Sequence, residues 1–134
     1  MATILLIGED SALLEGLAQS LAGAGHTARI AHSVMDGLEL ATAHRPLAVI
    51  AERRLALEDV ELFRVPVARG GALLLYRSDD REPGVVAPAL QRLVLAELTL
   101  PLERHRLLAL VQRVDERARL TGRRHPTPPE HRAY

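Results

Sequence analysis

The stretch that decides the fold is residues 47–55, LAVIAERRL, where five apolar residues run directly into Glu52, Arg53 and Arg54. An uninterrupted apolar run of this length is typical of a strand buried on both faces, because such a strand does not alternate polar and apolar residues. The predicted strand therefore delivers a carboxylate, Glu52, to one edge of a sheet. That carboxylate is a candidate reactive group, a candidate metal ligand, or one member of an ion pair with a neighbouring arginine.

Apolar segments on either side of this strand alternate with helical patterns. Strands are predicted at residues 4–7, 27–31, 72–76 and 93–99. Helices are predicted to follow Asp10 and Ser33, which are good N-caps, and to cover residues 57–63. Residues 83–92 predict only a short or kinked element, because Pro88 would cost a helix there a hydrogen bond. This alternation predicts an α/β fold with a parallel sheet covered on both faces.

A long amphipathic helix is predicted to open at Pro101 and to end at Thr121-Gly122. Its apolar stripe is expected to pack on the sheet in the first two turns and to extend beyond the sheet later. A spaced apolar seam flanked by charge can pair with a second copy of the chain. The stripe consists of Leu107, Val111, Val114 and Ala118.

The composition narrows the classes of function. The chain has 134 residues, 48% of them hydrophobic, which is enough for one core. All 17 basic residues are arginine and are balanced by 17 acidic residues, so the net charge favours neither nucleic acid nor a membrane surface. The absence of cysteine excludes thiol catalysis and thiolate metal sites. No apolar run approaches the roughly 20 residues of a membrane span, so we expect a cytoplasmic protein.

Polar side chains collect where the predicted strands end. In doubly wound sheets, sites form at the carboxyl ends of the strands. Glu9 and Asp10 are candidate ligands of a divalent cation, although acids at a helix start are more often caps. The six histidines lack the spacing of metal ligands, and no serine, histidine and acid arrangement or glycine-rich phosphate loop is present. The residues at the strand ends are Glu9, Asp10, Glu52, Tyr76 and Arg77.

Four motifs, in this order, resemble the receiver domain of two-component response regulators. ILLIGED at residues 4–10 resembles the first strand with its acidic pair, and HSVMDGLELATAHRP at residues 32–46 resembles the second-helix stretch. LAVIAERRL resembles the strand that presents the phosphoacceptor aspartate, and LTLPLERHRLLALV at residues 98–111 resembles the fifth strand, the Lys-Pro turn and the last helix. The resemblance implies a flavodoxin-like, five-stranded parallel sheet with strand order 2-1-3-4-5. It covers residues 3–120, so we expect a receiver-like domain at residues 1–120 and a C-terminal tail or linker at residues 121–134.

The resemblance also implies a phosphorylation site that has lost most of its parts. In the family, a strand-end aspartate accepts a phosphoryl group with the help of a divalent metal, a threonine or serine hydroxyl and a lysine. Here the acceptor position holds Glu52, the hydroxyl position aligns with Tyr76, and the lysine position holds Leu100. The first position of the acidic pair is Gly8, with Glu9 and Asp10 following, and the chain contains no lysine at all.

Three roles for Glu52 follow from the residues and the resemblance. The simplest is an ion pair with Arg54 or Arg77, since a partly buried carboxylate needs a partner and arginine offers a planar fork. The second is a fixed negative charge that mimics the phosphorylated state. The third is a residual magnesium site with Glu9, Asp10 and Glu52 as ligands. We expect no catalytic residue and no resident cofactor.

The function predicted from this resemblance is a stand-alone signalling interaction module, phosphorylation-independent and not an enzyme. The alternative is a phosphoacceptor in a phosphorelay with weak metal-dependent phosphotransfer. A third hypothesis, a regulatory subunit of a DNA-binding assembly that uses its arginine-rich end, is opposed by the neutral charge. The implied partners are a histidine kinase or another signalling protein, together with a second copy bound through the face of the fourth helix, fifth strand and fifth helix.

Overall fold

One five-stranded parallel sheet organises the chain. The computed structural model describes residues 2–58, 72–77 and 88–124. The strands are β1 (Thr3–Ile7), β2 (Thr27–Ala31), β3 (Ala48–Glu52), β4 (Ala72–Arg77) and β5 (Val94–Thr99). All neighbouring pairs are parallel, and the order is β2-β1-β3-β4-β5. The predicted fold class and strand order are therefore confirmed.

The described helices connect these strands as the sequence indicated, with caps where they were expected. They are α1 (Ser11–Gly23), α2 (Val34–His44), α3 (Arg53–Glu58), α4 (Pro88–Gln91) and α5 (Arg104–Arg124). The side chain of Asp10 accepts a hydrogen bond from the Leu13 N–H, and that of Ser33 accepts one from the Asp36 N–H, both at 3.1 Å. Each cap satisfies an amide that the helix itself leaves without an acceptor.

Three helix boundaries differ from the prediction. α3 begins at Arg53, directly after β3, and not at residue 57; residues 59–63 of that prediction lie outside the described residues. α5 begins at Arg104, after a turn at residues 101–103, and continues to Arg124 through Gly122. Four residues assigned to the tail are therefore helical, because a single glycine lowers helix propensity without ending a long helix. The predicted element at 83–92 is described only from Pro88, which opens the short α4.

β3 divides the hydrophobic core into two layers. Ala48, Val49, Ile50 and Ala51 are all fully buried. Ala48 and Ile50 contact the layer covered by α1 and α5, whereas Val49 and Ala51 contact the opposite layer with α2 and α3. Alternate residues of one strand thus enter different layers, which explains why its sequence is apolar throughout.

The apolar stripe of α5 is only partly buried. Leu107 and Val111 are fully buried against the sheet, and Val114 is half-buried. Ala118 is exposed, as expected for the part of the stripe that extends beyond the sheet. Asp115, which the sequence did not place in the core, is buried and pairs with Arg119 at 2.9 Å. Residues 116–120 are all exposed, so the described burial of α5 ends at Asp115. None of the described helices has the length and apolar character needed to cross a membrane.

Two glycines inside helices offer a matched test of this packing. A Cβ on Gly37 in α2 would lie 2.5 Å from Ile7 Cδ1 and 3.0 Å from Ile7 Cγ1, whereas a Cβ on Gly16 in α1 would meet nothing within 4 Å. We expect Gly16→Ala to stabilise the protein by about 0.5–1 kcal/mol through helix propensity. Gly37→Ala gains the same propensity but overpacks a buried contact, which costs about 1–3 kcal/mol.

Urea unfolding of both variants measures this difference. Gly16→Ala should be the more stable of the two, with the midpoints clearly separated. Equal stabilisation by both substitutions would show that α2 does not press against β1 as described.

Candidate functional site

The carboxyl ends of β1, β3 and β4 meet at one edge of the sheet and form an open cavity of about 270 Å³. Parallel strands end on the same side, so residues that follow them come together. Glu52 at the end of β3 is in register with Tyr76 of β4, and Glu9 follows β1 on the other side. The cavity is lined by Glu9, Asp10, Leu13, Glu52, Arg54 and Tyr76.

Both carboxylate oxygens of Glu52 have partners within the chain. Oε1 accepts a hydrogen bond from the backbone N–H of Glu9 at 3.1 Å, and Oε2 lies 3.0 Å from Nη2 of Arg54. The Glu52 side chain is 17% exposed, so these contacts replace much of the water that an ionised carboxylate needs. Glu52 is therefore held as a charge on the edge of the cavity, with each oxygen engaged.

Arg54 contacts two carboxylates at once. Its Nη2 atom pairs with Glu52 and also with Oε1 of Glu9, which follows β1. Since α3 begins directly after β3, Arg54 lies within reach of both strand ends. The guanidinium thus connects the loop after β1 to the end of β3.

Arg77, the other predicted partner of Glu52, lies at the end of β4. Its carbonyl accepts a hydrogen bond from the Leu100 N–H at 2.9 Å, and its charge acts on the carboxylate of Glu103. An Arg77 contact with Glu52 stays a prediction.

Tyr76 and Gly8 are complementary replacements on the β1 side of the cavity. A Cβ on Gly8 would overlap the hydroxyl oxygen of Tyr76 and would lie 3.1 Å from its Cζ. Tyr76 is buried, and its side chain therefore occupies the volume next to Gly8 that a carboxylate at this position would need. Gly8 and Tyr76 are thus sterically matched, because the tyrosine hydroxyl fits only where position 8 carries no side chain.

The position that aligns with the family's lysine is part of the core. Leu100 is fully buried and packs in the layer covered by α1 and α5. After it, Glu103 closes the turn: its Oε1 accepts the Thr99 N–H at 2.7 Å, and its own N–H donates to the Thr99 carbonyl at 2.8 Å. The hydrogen bond from Thr99 lowers the pKa of Glu103 below its ordinary value of 4.5, and Arg106 and Arg77 act in the same direction.

An ion pair between Arg53 and Glu97 was missed by the sequence interpretation. The buried Arg53 places its Nε 3.1 Å from Glu97 Oε1 of β5. Ala51 is in register with Leu75, which in turn is in register with Glu97, so the pair passes over β4. The signal was present in the sequence, because a charged residue in the middle of the apolar strand VLAELT needs a partner.

The donors at this edge do not fit a divalent metal. Asp10 caps α1, and the carboxylates of Glu9 and Glu52 are paired with Arg54. Within residues 2–58, 72–77 and 88–124, no three acidic, histidine or cysteine side chains form a group that could hold a metal ion. The predicted three-ligand arrangement of Glu9, Asp10 and Glu52 is therefore not assembled. The geometry instead provides a positive side chain between two negative ones.

Comparison with solved structures identifies the fold as that of receiver domains. A response regulator receiver domain from Clostridium thermocellum superposes with a TM-score of 0.73 at 19% identity, covering 90% of this chain and 99% of that one. The signal receiver domain of a putative Luxo repressor protein from Vibrio parahaemolyticus gives 0.73 at 16% identity over 93% and 98%. The pseudo-receiver domain of the CikA protein gives 0.64 at 21% identity over 85% and 97%.

No family model and no curated protein matches the sequence. The structural likenesses establish the receiver fold and, at these identities, the fold alone. This chain is a receiver-type domain in architecture, with the altered strand ends described above.

The contact between Gly8 and Tyr76 is testable with a double-mutant cycle. Gly8→Ala should destabilise the protein by about 1–3 kcal/mol, because the new methyl group overlaps a buried hydroxyl. In a Tyr76→Phe background the hydroxyl is gone, and the cost of Gly8→Ala should fall by at least half. Chemical denaturation of the four proteins measures the coupling. Equal costs in both backgrounds would show that Tyr76 does not fill this volume.

Proposed function

We propose that this protein is a receiver-type signalling interaction module that works without phosphorylation and is not an enzyme. The observation that carries the proposal is the pairing of Glu52, which occupies the acceptor position, with the Glu9 amide and with Arg54. A carboxylate attacks a phosphoryl group only if an oxygen is available and cations stabilise the charge that develops. In this chain both oxygens are engaged by its own groups.

The remaining positions support the same conclusion. Leu100 is buried in the core at the lysine position, and the chain has no lysine elsewhere to supply an ammonium group. Tyr76 fills the side of the cavity next to Gly8, where the family's first acid would stand. Glutamate also carries its carboxylate one methylene farther from the backbone than aspartate, and a displacement of this order can cost a reaction heavily.

A phosphodonor assay tests the proposal against the phosphorelay alternative. The protein is incubated with acetyl phosphate and magnesium chloride, and its intact mass is measured, with an aspartate-bearing receiver as the positive control. We expect no stable addition to this protein. Addition of one phosphoryl group that disappears in a Glu52→Gln variant would establish phosphotransfer and overturn the proposal.

We further propose that the module acts through an apolar groove between β5 and α5, where a second copy of the chain binds. The groove has a volume of about 710 Å³, and the Leu95 and Leu120 side chains on its walls are 51% and 53% exposed. The register between β4 and β5 skips Leu95, which turns this residue out of the ladder toward α5. Exposed apolar surface rimmed by charge is typical of an interaction site.

The charges at the groove favour self-association. Arg113 and Arg117 lie beside Glu116, so both signs are present on one surface. A two-fold interface needs a surface that is complementary to itself, and mixed charges around an apolar centre meet that requirement. β5 is also the edge strand of the described sheet, so its outer side pairs with no other described strand.

Light scattering of single variants tests the dimer. We expect wild type to be dimeric and Leu95→Glu or Leu120→Glu to be monomeric, because each buries a charge in the apolar contact. Leu102→Glu is the control, since Leu102 is 83% exposed and lies outside the groove. A monomeric wild type at high concentration, or an equal effect of Leu102→Glu, would refute this interface.

A further inference from the structure

At the carboxyl ends of β1 and β3, two carboxylates contact one and the same atom. Glu9 follows β1 and Glu52 ends β3, and each places one oxygen against the same atom, Nη2 of Arg54. Two strand ends thus direct negative charge toward one position. A position shared by two carboxylates on neighbouring elements strongly favours a cation.

The chain needs a positive charge at this point. The Glu52 side chain is only 17% exposed, and the Glu9 side chain, which is 58% exposed, contacts the same nitrogen. A second carboxylate near one that has lost most of its water is costly unless a cation pairs with both. The Asp10 side chain caps α1, where its Oδ1 accepts a hydrogen bond from the Leu13 N–H.

Arg54 lies at the N-terminal end of α3, where an arginine without acidic partners is unfavourable. Arg53 and Arg54 are the first two residues of α3, where the helix dipole disfavours positive charge. The structure supplies an acid to each: Glu97 to Arg53, and Glu9 with Glu52 to Arg54. Tertiary contacts therefore hold two cations at a helix start that would not favour them by itself.

We infer that the Arg54 guanidinium is the resident cation of this site, and that it excludes divalent metal by occupying the point between Glu9 and Glu52. The inference deepens the proposed function, since a tethered cation makes the site insensitive to metal as well as to phosphodonors. It is tested separately from the proposed function, because the effect of magnesium on the melting temperature can be measured without any phosphoryl transfer. Removal of Arg54 would leave the carboxylates of Glu9 and Glu52 without this cation. Magnesium is commonly bound by one or two carboxylates, with water molecules as its other ligands.

The test is thermal unfolding of Arg54→Met in millimolar magnesium chloride, compared with sodium chloride at matched ionic strength. Methionine keeps much of the side-chain length and removes the charge. We expect the variant to melt about 3–5 °C below wild type in sodium chloride and to regain at least half of the loss in magnesium. Wild type should melt at the same temperature in both salts. Glu9→Gln added to Arg54→Met should abolish the gain.

Arg106→Met is the matched control. Arg106 pairs with Glu103, and its side chain is 54% exposed, against 55% for Arg54. This variant also loses one arginine from an ion pair, but the pair involves a single carboxylate. We expect a small decrease in melting temperature and no recovery in magnesium.

Arg54→Lys provides a second variant if Arg54→Met does not fold, which circular dichroism establishes. The lysine ammonium keeps a positive charge near the shared point, so its melting temperature should not depend on magnesium. Stabilisation of wild type or of Arg54→Lys by magnesium would overturn the inference. A folded Arg54→Met that gains nothing from magnesium would overturn it equally, because the point would then not be a cation position.

Discussion

The structure depends on the burial of β3 from both sides. Ala48 through Ala51 are fully buried, and their side chains enter the two core layers alternately. β3 also pairs with β1 on one side and β4 on the other, so both halves of the sheet are built on it. A strand in this position cannot carry a polar side chain until it ends. Its first polar residue, Glu52, therefore appears at the carboxyl edge, beside the ends of its two neighbours.

This constraint explains why the polar residues of three strand ends lie together. Glu9, Glu52 and Tyr76 come from three different strand ends, and the parallel sheet brings them to one cavity. These residues depend on one another physically. Tyr76 occupies the volume beside Gly8, and Arg54 forms ion pairs with both Glu9 and Glu52. One change in such a cluster is costly without the others, because a buried volume must be filled and a shielded charge must be paired. The site is therefore an arrangement whose members depend on one another for volume and for charge.

The extent to which the sequence predicted this protein varies between elements. β2 was predicted at its observed residues, and the caps at Asp10 and Ser33 were found from local signals, because apolar runs and capping residues act over a few neighbours. The start of α3 was missed, since ERRL carries no capping signal and the helix is held by the contacts of Arg53 and Arg54. The burial of Asp115 was also missed, because a charged residue carries no local signal that tertiary contacts will cover it.

The sequence by itself determined the order of elements, the two-sided burial of the sheet and the set of charged residues at the strand ends. These properties follow from hydrophobic periodicity and composition, which act along the chain. Only the tertiary structure decided which charges meet. Arg53, Arg54 and Arg77 are chemically alike in the sequence, yet Arg53 crosses to Glu97 and Arg54 joins Glu9 with Glu52. The physical reason is that ion pairing depends on distances of a few ångströms between strand ends that are more than 40 residues apart.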